Sequence, residues 1–284
     1  MSGPSELAVL TGVLADAGWK ATVVIGLGWL GSRLGRSAAQ RHAVWAVSLG
    51  VLPVLLWLSA SRGSAVALDA PWMLALWGLG FVGAWVPLLR GLSGLRRLGA
   101  TAVPDEQGIL TSDAVTSPLT WGLWRPVVVL PSSARSWSTA RRRLALAHEE
   151  AHVRRRDWAV HLAAWVVCTV FWFHPLVWWA RRAMAREAEH AADDAVLAEG
   201  VRPSDYAELL LSLSHGPVGA ALGAGSFVGQ RVHGVLGARD RSPRRGAAVL
   251  VALVVAALAL PNLGAWAAWS TPDDELTCQP GLLP

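Results

Sequence analysis

Charge, lysine and paired cysteine are all scarce in this sequence. Acidic and basic residues make up 16% of the 284 positions, 53% are hydrophobic, and mean hydropathy is +0.39. An ordinary soluble domain carries about 25% charged residues, so that balance argues against one. Lys20 is the single lysine, and the other basic residues are arginines. The pI near 10.4 would suit nucleic acid, but the arginines cluster beside apolar runs, as juxtamembrane charge does, so no direct nucleic-acid contact is expected. Two cysteines are present, Cys168 inside an apolar run and Cys278 near the end, with no C-x-x-C pair. A disulfide framework and a cysteine-ligated zinc site therefore both lack support. No basic residue precedes the first apolar stretch, and Asp16 and Lys20 interrupt it, so it reads as a retained span rather than a cleavable leader. No internal repeat is apparent.

What the chain does have is long apolar segments, at about 7–31, 43–61, 70–89, 158–180 and within 246–272. A spanning helix needs about 20 apolar residues. Asp16 and Lys20 are spaced to pair on a helix, although Lys20 is expected to snorkel to the interface. Arginines orient the spans. Arg33, Arg36 and Arg41 join the first two, Arg90, Arg96 and Arg97 follow the third, and Arg231 to Arg245 precede the last. The 32–42 loop and the 90–245 region thus read as cytoplasmic, with both termini outside.

The fourth segment breaks this pattern, because Arg154–Arg156 and Arg181, Arg182 and Arg186 flank it on both sides. A helix climbing from about 141 to 173, a turn at His174-Pro175 and a descending helix resolve the conflict as a membrane-embedded hairpin near 158–180. The expected organisation is three transmembrane helices over 1–97, a domain over 98–215, a Gly/Arg-rich linker over 216–245, a last transmembrane helix over 246–270 and a short extracellular tail at 271–284. Within 98–140, VVVLP (127–131) and the turn-rich segment before it predict a small β-hairpin or sheet. Residues 203–214 predict a short amphipathic helix.

The chemistry resides in LALAHEEAHVRRRDW, residues 144–158. On a helix His148 and His152 share one face and can bind one metal. Glu149 lies about 100° around, in a position to deprotonate an activated water. This is the H-E-x-x-H pattern of zinc peptidases. A third histidine is missing from the extended form, because Arg155 and Trp158 occupy the required positions. MAREAEHAADDAVLAEG supplies Glu189, which is favoured as the third ligand, with Glu187 and His190 as alternatives. Asp193, four residues after Glu189, is placed to orient a ligand histidine; Asp157 is placed to fix a histidine or an arginine. Tyr206 is expected to pack, with an oxyanion donor as the alternative, and His174 to cap a helix. Glu149-x-x-His152 and Glu187-x-x-His190 also fit the paired Glu-x-x-His spacing of di-iron bundles, which would make His148 dispensable. A third reading is a non-catalytic signalling protein with a structural metal.

HEEAHVRRRDW, then FWFHPLVWWARR, then REAEHAADDAVL, with SPLTWGLWRPVVVLP ahead of them, resemble the BlaR/MecR-type integral-membrane metallopeptidases. The likeness covers about 20–215. It implies a mainly α membrane protein, a multi-span helical bundle carrying a cytoplasm-facing, gluzincin-like HExxH zinc peptidase domain and a small β element. It implies Zn2+ on His148, His152 and Glu189, with Glu149 as the base. The implied function is endopeptidase signal transduction in the bacterial cytoplasmic membrane. The substrate class is a cytoplasmic winged-helix repressor, with self-cleavage in the Arg-rich 231–245 region. Membrane lipids are expected at the arginine clusters. Ala192 stands where such proteins usually carry cysteine. The best-known members continue into a large extracellular β-lactam-binding sensor. The shortness of 271–284 instead leads to the expectation that this chain lacks that penicillin-binding domain and relies on a separate sensor subunit.

Overall fold

The computed structural model describes residues 6–62, 71–214 and 224–237. The last apolar segment, the tail, Cys278 and Arg239 to Arg245 lie outside them.

Among the described residues three helices are long and apolar enough to cross a membrane: α1 (Glu6–Leu34), α2 (Ala38–Arg62) and α3 (Pro71–Thr101). The helix α3 runs past the expected end of its span at 89 through Arg90, Arg96 and Arg97, because nothing in RGLSGLRRLGAT stops it. Only 6% of its apolar window is buried in the protein, and Leu76, Leu79, Val82 and Leu89 face outward, as lipid-facing residues do.

Lys20 does not snorkel. It is buried, and its Nζ donates to Asp16 Oδ2 at 2.5 Å and to Ser59 Oγ at 3.1 Å. Asp16 also accepts from Ser59 Oγ at 2.6 Å and from Trp19 Nε1 at 2.9 Å. Neighbouring donors on α1 and α2 thus satisfy the charge where it lies, so the side chain gains nothing by reaching for the interface.

A four-stranded sheet follows: β1 (Val103–Pro104), β2 (Leu110–Ser112), β3 (Leu119–Trp121) and β4 (Val127–Pro131), in the order β1-β2-β4-β3. The β2–β4 pair is parallel and the other two are antiparallel, so the element is larger than a hairpin. Gly122 makes the β3–β4 turn at φ +117°, where a Cβ would lie 2.3 Å from Arg125 O. The strand β3 is the sheet edge nearest the H-E-x-x-H helix, and among the described residues it pairs only with β4.

The expected single helix from 141 to 173 is instead two: α4 (Thr139–Arg155) and α5 (Asp157–Val170). Between them Arg156 takes the left-handed conformation (φ 55°), and its N–H caps the carbonyls of His152 and Val153. The turn ends one helix and redirects the next so that Asp157 comes back towards His152. Residues 171–174 then lead into α6 (Pro175–Ala198), with Pro175 at its first turn. His174 precedes α6 but makes no side-chain cap; its Nε2 lies 3.2 Å from Gly18 O and 3.1 Å from Thr22 Oγ1 on α1. Reciprocal bonds, Trp77 Nε1 to Val170 O and Trp172 Nε1 to Trp77 O, both 3.0 Å, tie the same tip to α3.

The helix α7 (Pro203–Ser214) lies where expected. The linker expected over 216–245 is corrected in part: Ala224–Leu236 forms helix α8. Val235 is buried and Val232 half-buried against Ala147, Val196, Tyr206 and Leu210, and this apolar spacing outweighs the local glycines. A second core joins α1, α2, α5 and α6 through Ile25, Leu49, Leu52, Phe171, Val177 and Met184.

Candidate metal centre

Ser138 caps α4, its Oγ accepting from Arg141 N at 3.3 Å, and three turns of helix then present His148 and His152 side by side. Their rings meet edge to face with centroids 4.8 Å apart. From α6, Glu189 Oε2 lies 3.5 Å from His148 Nε2, and Oε1 lies 3.6 Å from His152 Nε2. One ligand atom from each residue falls within 4.8 Å of the others. Two imidazoles and one carboxylate fit the donor set of a catalytic zinc, which keeps a further position open. The alternatives point elsewhere. Arg41 Nε donates to Glu187 Oε2 at 2.9 Å, and the His190 ring lies 6.0 Å from that of Phe227. A paired di-iron constellation is therefore not assembled, and among the described residues no other group of this kind forms.

The surrounding contacts orient each imidazole. Asp157 Oδ2 lies 2.7 Å from His152 Nδ1, and Arg155 Nη2 is 3.2 Å from the other oxygen. Asp157 thus serves both a histidine and an arginine. On His148, Nδ1 meets Tyr206 Oη at 2.8 Å and Asp193 Oδ1 at 3.4 Å, while Tyr206 Oη donates to Asp193 at 2.8 Å. Tyr206 is fully buried at the wall of the cleft, and its hydroxyl does more than pack: it holds His148. With Nδ1 engaged by Asp157 on His152 and by the Tyr206 hydroxyl on His148, each histidine keeps Nε2 for a metal.

Two contributors escaped the sequence reading. Thr120 on β3 donates to Glu149 Oε2 at 2.6 Å and fixes this buried carboxylate. Arg231 on α8 donates to Asp193 at 2.6 and 2.9 Å and pairs with Glu189 Oε2 at 3.0 Å. In sequence Arg231 is one more arginine ahead of an apolar run; only the docking of α8 shows its use.

The charges hold one another. Burial opposes ionisation of His148, but the Asp193 and Glu189 carboxylates outweigh it and raise the imidazole to about 9. Burial likewise works against the Glu189 carboxylate, yet His148 and Arg231 bring it down to about 2. Asp193 is held well below the ordinary carboxylate range by the same partners, again against burial. His148, Glu189 and Arg231 line a cleft of about 610 Å³, with Thr116 to Thr120 along one wall and Trp158, Leu210 and Val228 elsewhere.

Residues 96–231, from the end of α3 to Arg231, match the model of the family described as BlaR1 peptidase M56. A curated relative, the regulatory protein BlaR1 of Bacillus licheniformis, is 34% identical over 86 residues, which cover 30% of this chain and 14% of that protein. The matched segment is thus a small part of the relative's length. The helix-borne motif, the apolar helices and this match agree: residues 96–231 are similar to the BlaR1 peptidase M56 family.

Proposed function

We propose that this chain is a zinc-dependent endopeptidase of the bacterial cytoplasmic membrane that cuts a cytoplasmic protein in signal transduction. The observation that carries this reading is the convergence of His148, His152 and Glu189 beside a buried Glu149 in one open cleft. A zinc ion held there supplies Lewis-acid polarisation of the scissile carbonyl and of the attacking water. Glu149, fixed by Thr120, takes the proton from that water and passes it to the leaving amine. The open edge of β3 forms the cleft wall and suits an extended substrate added as a further strand. Asp157 and Asp193 keep the imidazoles in their ligating tautomer.

Arginine placement supports a cleft that faces the cytoplasm. The 14 residues of α5 extend about 21 Å, less than the ~30 Å hydrocarbon core. That supports a hairpin which enters the membrane and returns. A winged-helix transcriptional repressor remains the proposed substrate class, acting with a separate sensor subunit. For self-cleavage we retain only 238–245, outside the described residues, because Arg231 lies inside α8 and its cutting would require that helix to unwind.

The test uses Glu149→Gln in the detergent-purified full chain. We expect about one zinc per chain to persist by elemental mass spectrometry. Cleavage of the co-expressed partner, or of the chain itself, falls by about 10²–10⁴. Undiminished cleavage by the variant would falsify the peptidase assignment. Metal without turnover in the unaltered chain would favour a structural metal in a signalling protein.

A further inference from the structure

A second polar cluster adjoins the metal centre at the start of α2. Arg41, besides its 2.9 Å bond to Glu187, donates through Nη1 to Gly35 O at 3.3 Å and Arg36 O at 3.4 Å. One guanidinium therefore ties the α1–α2 turn to α6, two residues before Glu189. The next residue, His42, is buried, and its Nε2 faces Asp157 Oδ1 at 3.9 Å. The other oxygen of that carboxylate holds His152. Arg155 closes the circuit, pairing with Asp157 Oδ1 at 3.2 Å and donating to Ala188 O, immediately before Glu189, at 3.1 Å.

Consecutive residues of one membrane helix thus address both ligand-bearing elements. Arg41 reaches the α6 segment that carries Glu189, and His42 reaches the carboxylate that orients His152. Above them α2 and α6 are packed together: Trp45 meets Trp179 edge to face at 5.1 Å, and Leu49 and Leu52 share a core with Val177 and Met184. Metal–ligand distances tolerate only about 0.2 Å, so a small shift of α2 is felt at the site.

We infer that Arg41 and His42 are positioning residues of the metal centre, through which α2 sets the spacing of His152 and Glu189. The inference rests on the metal reading above and extends it to the membrane bundle. A displacement of α2 within the bilayer reaches the ligands without touching the cleft.

Cobalt(II) loaded into the full-length protein in detergent tests this, because its visible ligand-field bands report ligand geometry and do not depend on a substrate. Arg41→Glu is expected to weaken cobalt binding about tenfold and to shift the bands. The double variant Arg41→Glu/Glu187→Arg is expected to restore most of both. The milder Arg41→Gln and His42→Gln carry the same expectation at smaller size and guard against a misfolded Arg41→Glu. Trp77→Phe, which loses the α3 hydrogen bond to Val170 O, should lower the melting temperature while leaving the bands in place. Arg41 and His42 variants that bind cobalt as the unaltered chain does, with unchanged bands, overturn the inference. So does an equal band shift from Trp77→Phe, which would reduce the cluster to general packing. If the unaltered chain binds no cobalt, the metal reading itself fails, a distinct outcome.

Discussion

His148 shows how one residue's protonation links structure to metal uptake. Its imidazole is raised to about 9, because Asp193 and Glu189 outweigh burial. A metal ion needs the neutral ring, so binding near pH 7 must expel a proton. Apparent metal affinity is therefore expected to rise about tenfold per pH unit and to level off near pH 9. Chelator competition across that range, with proton release followed by an indicator, checks it; an affinity flat with pH would contradict the charged His148. The same shift stabilises the fold fully below about pH 6.5, and that contribution disappears as pH rises through about 9. Glu189, at about 2, stays ionised throughout. At this scale the meeting of His148 and His152 was legible because helical spacing alone puts them on one face, whereas Glu189 was favoured over Glu187 and His190 only by the Asp193 four residues after it. Thr120 and Arg231 were not legible, since no local pattern marks a threonine or an arginine as the partner of a carboxylate far along the chain.

Among the elements, the break between α4 and α5 matters most. An unbroken helix would carry Asp157 about 100° per residue around the axis and away from His152. The left-handed Arg156 turns the chain so that the two meet at 2.7 Å. Proline at 156 cannot reach φ 55° and lacks the N–H that caps α4. Arg156→Pro is expected to cost ~3 kcal/mol or more and to weaken zinc binding about tenfold or more through the loss of Asp157. Glycine at 156 should be tolerated. Calorimetry and chelator titration separate these outcomes, and normal zinc affinity in Arg156→Pro would mean that the break does not position Asp157. A run of three arginines carries no signal of such a break. The helix α8 was hidden likewise: its glycines read as a linker until its valines found the α4–α6–α7 core.

In the molecule as a whole, the membrane helices are held together partly by buried charge. Asp16, Lys20 and Ser59 satisfy one another across α1 and α2, all at most 3% exposed. Removing one charge leaves the other unpaired in a low-dielectric setting, whereas removing both is far cheaper. Lys20→Met and Asp16→Asn are each expected to destabilise the detergent-solubilised protein by about 3 kcal/mol or more. The double variant should recover much of the lost melting temperature. Additive losses in the double variant would show that the two do not act as a pair.

The sequence by itself determined the mainly helical character, three apolar helices long enough to cross a membrane among the described residues, and the shared face of His148 and His152. These follow from hydropathy and from a periodicity of 3.6, which are properties of contiguous residues. Only the tertiary structure decided which carboxylate holds which imidazole, that Lys20 pairs rather than snorkels, and that Arg41, Thr120 and Arg231 converge around the site. Those outcomes depend on partners distant in the chain, selected by the cost of burying a charge or a polar group without one.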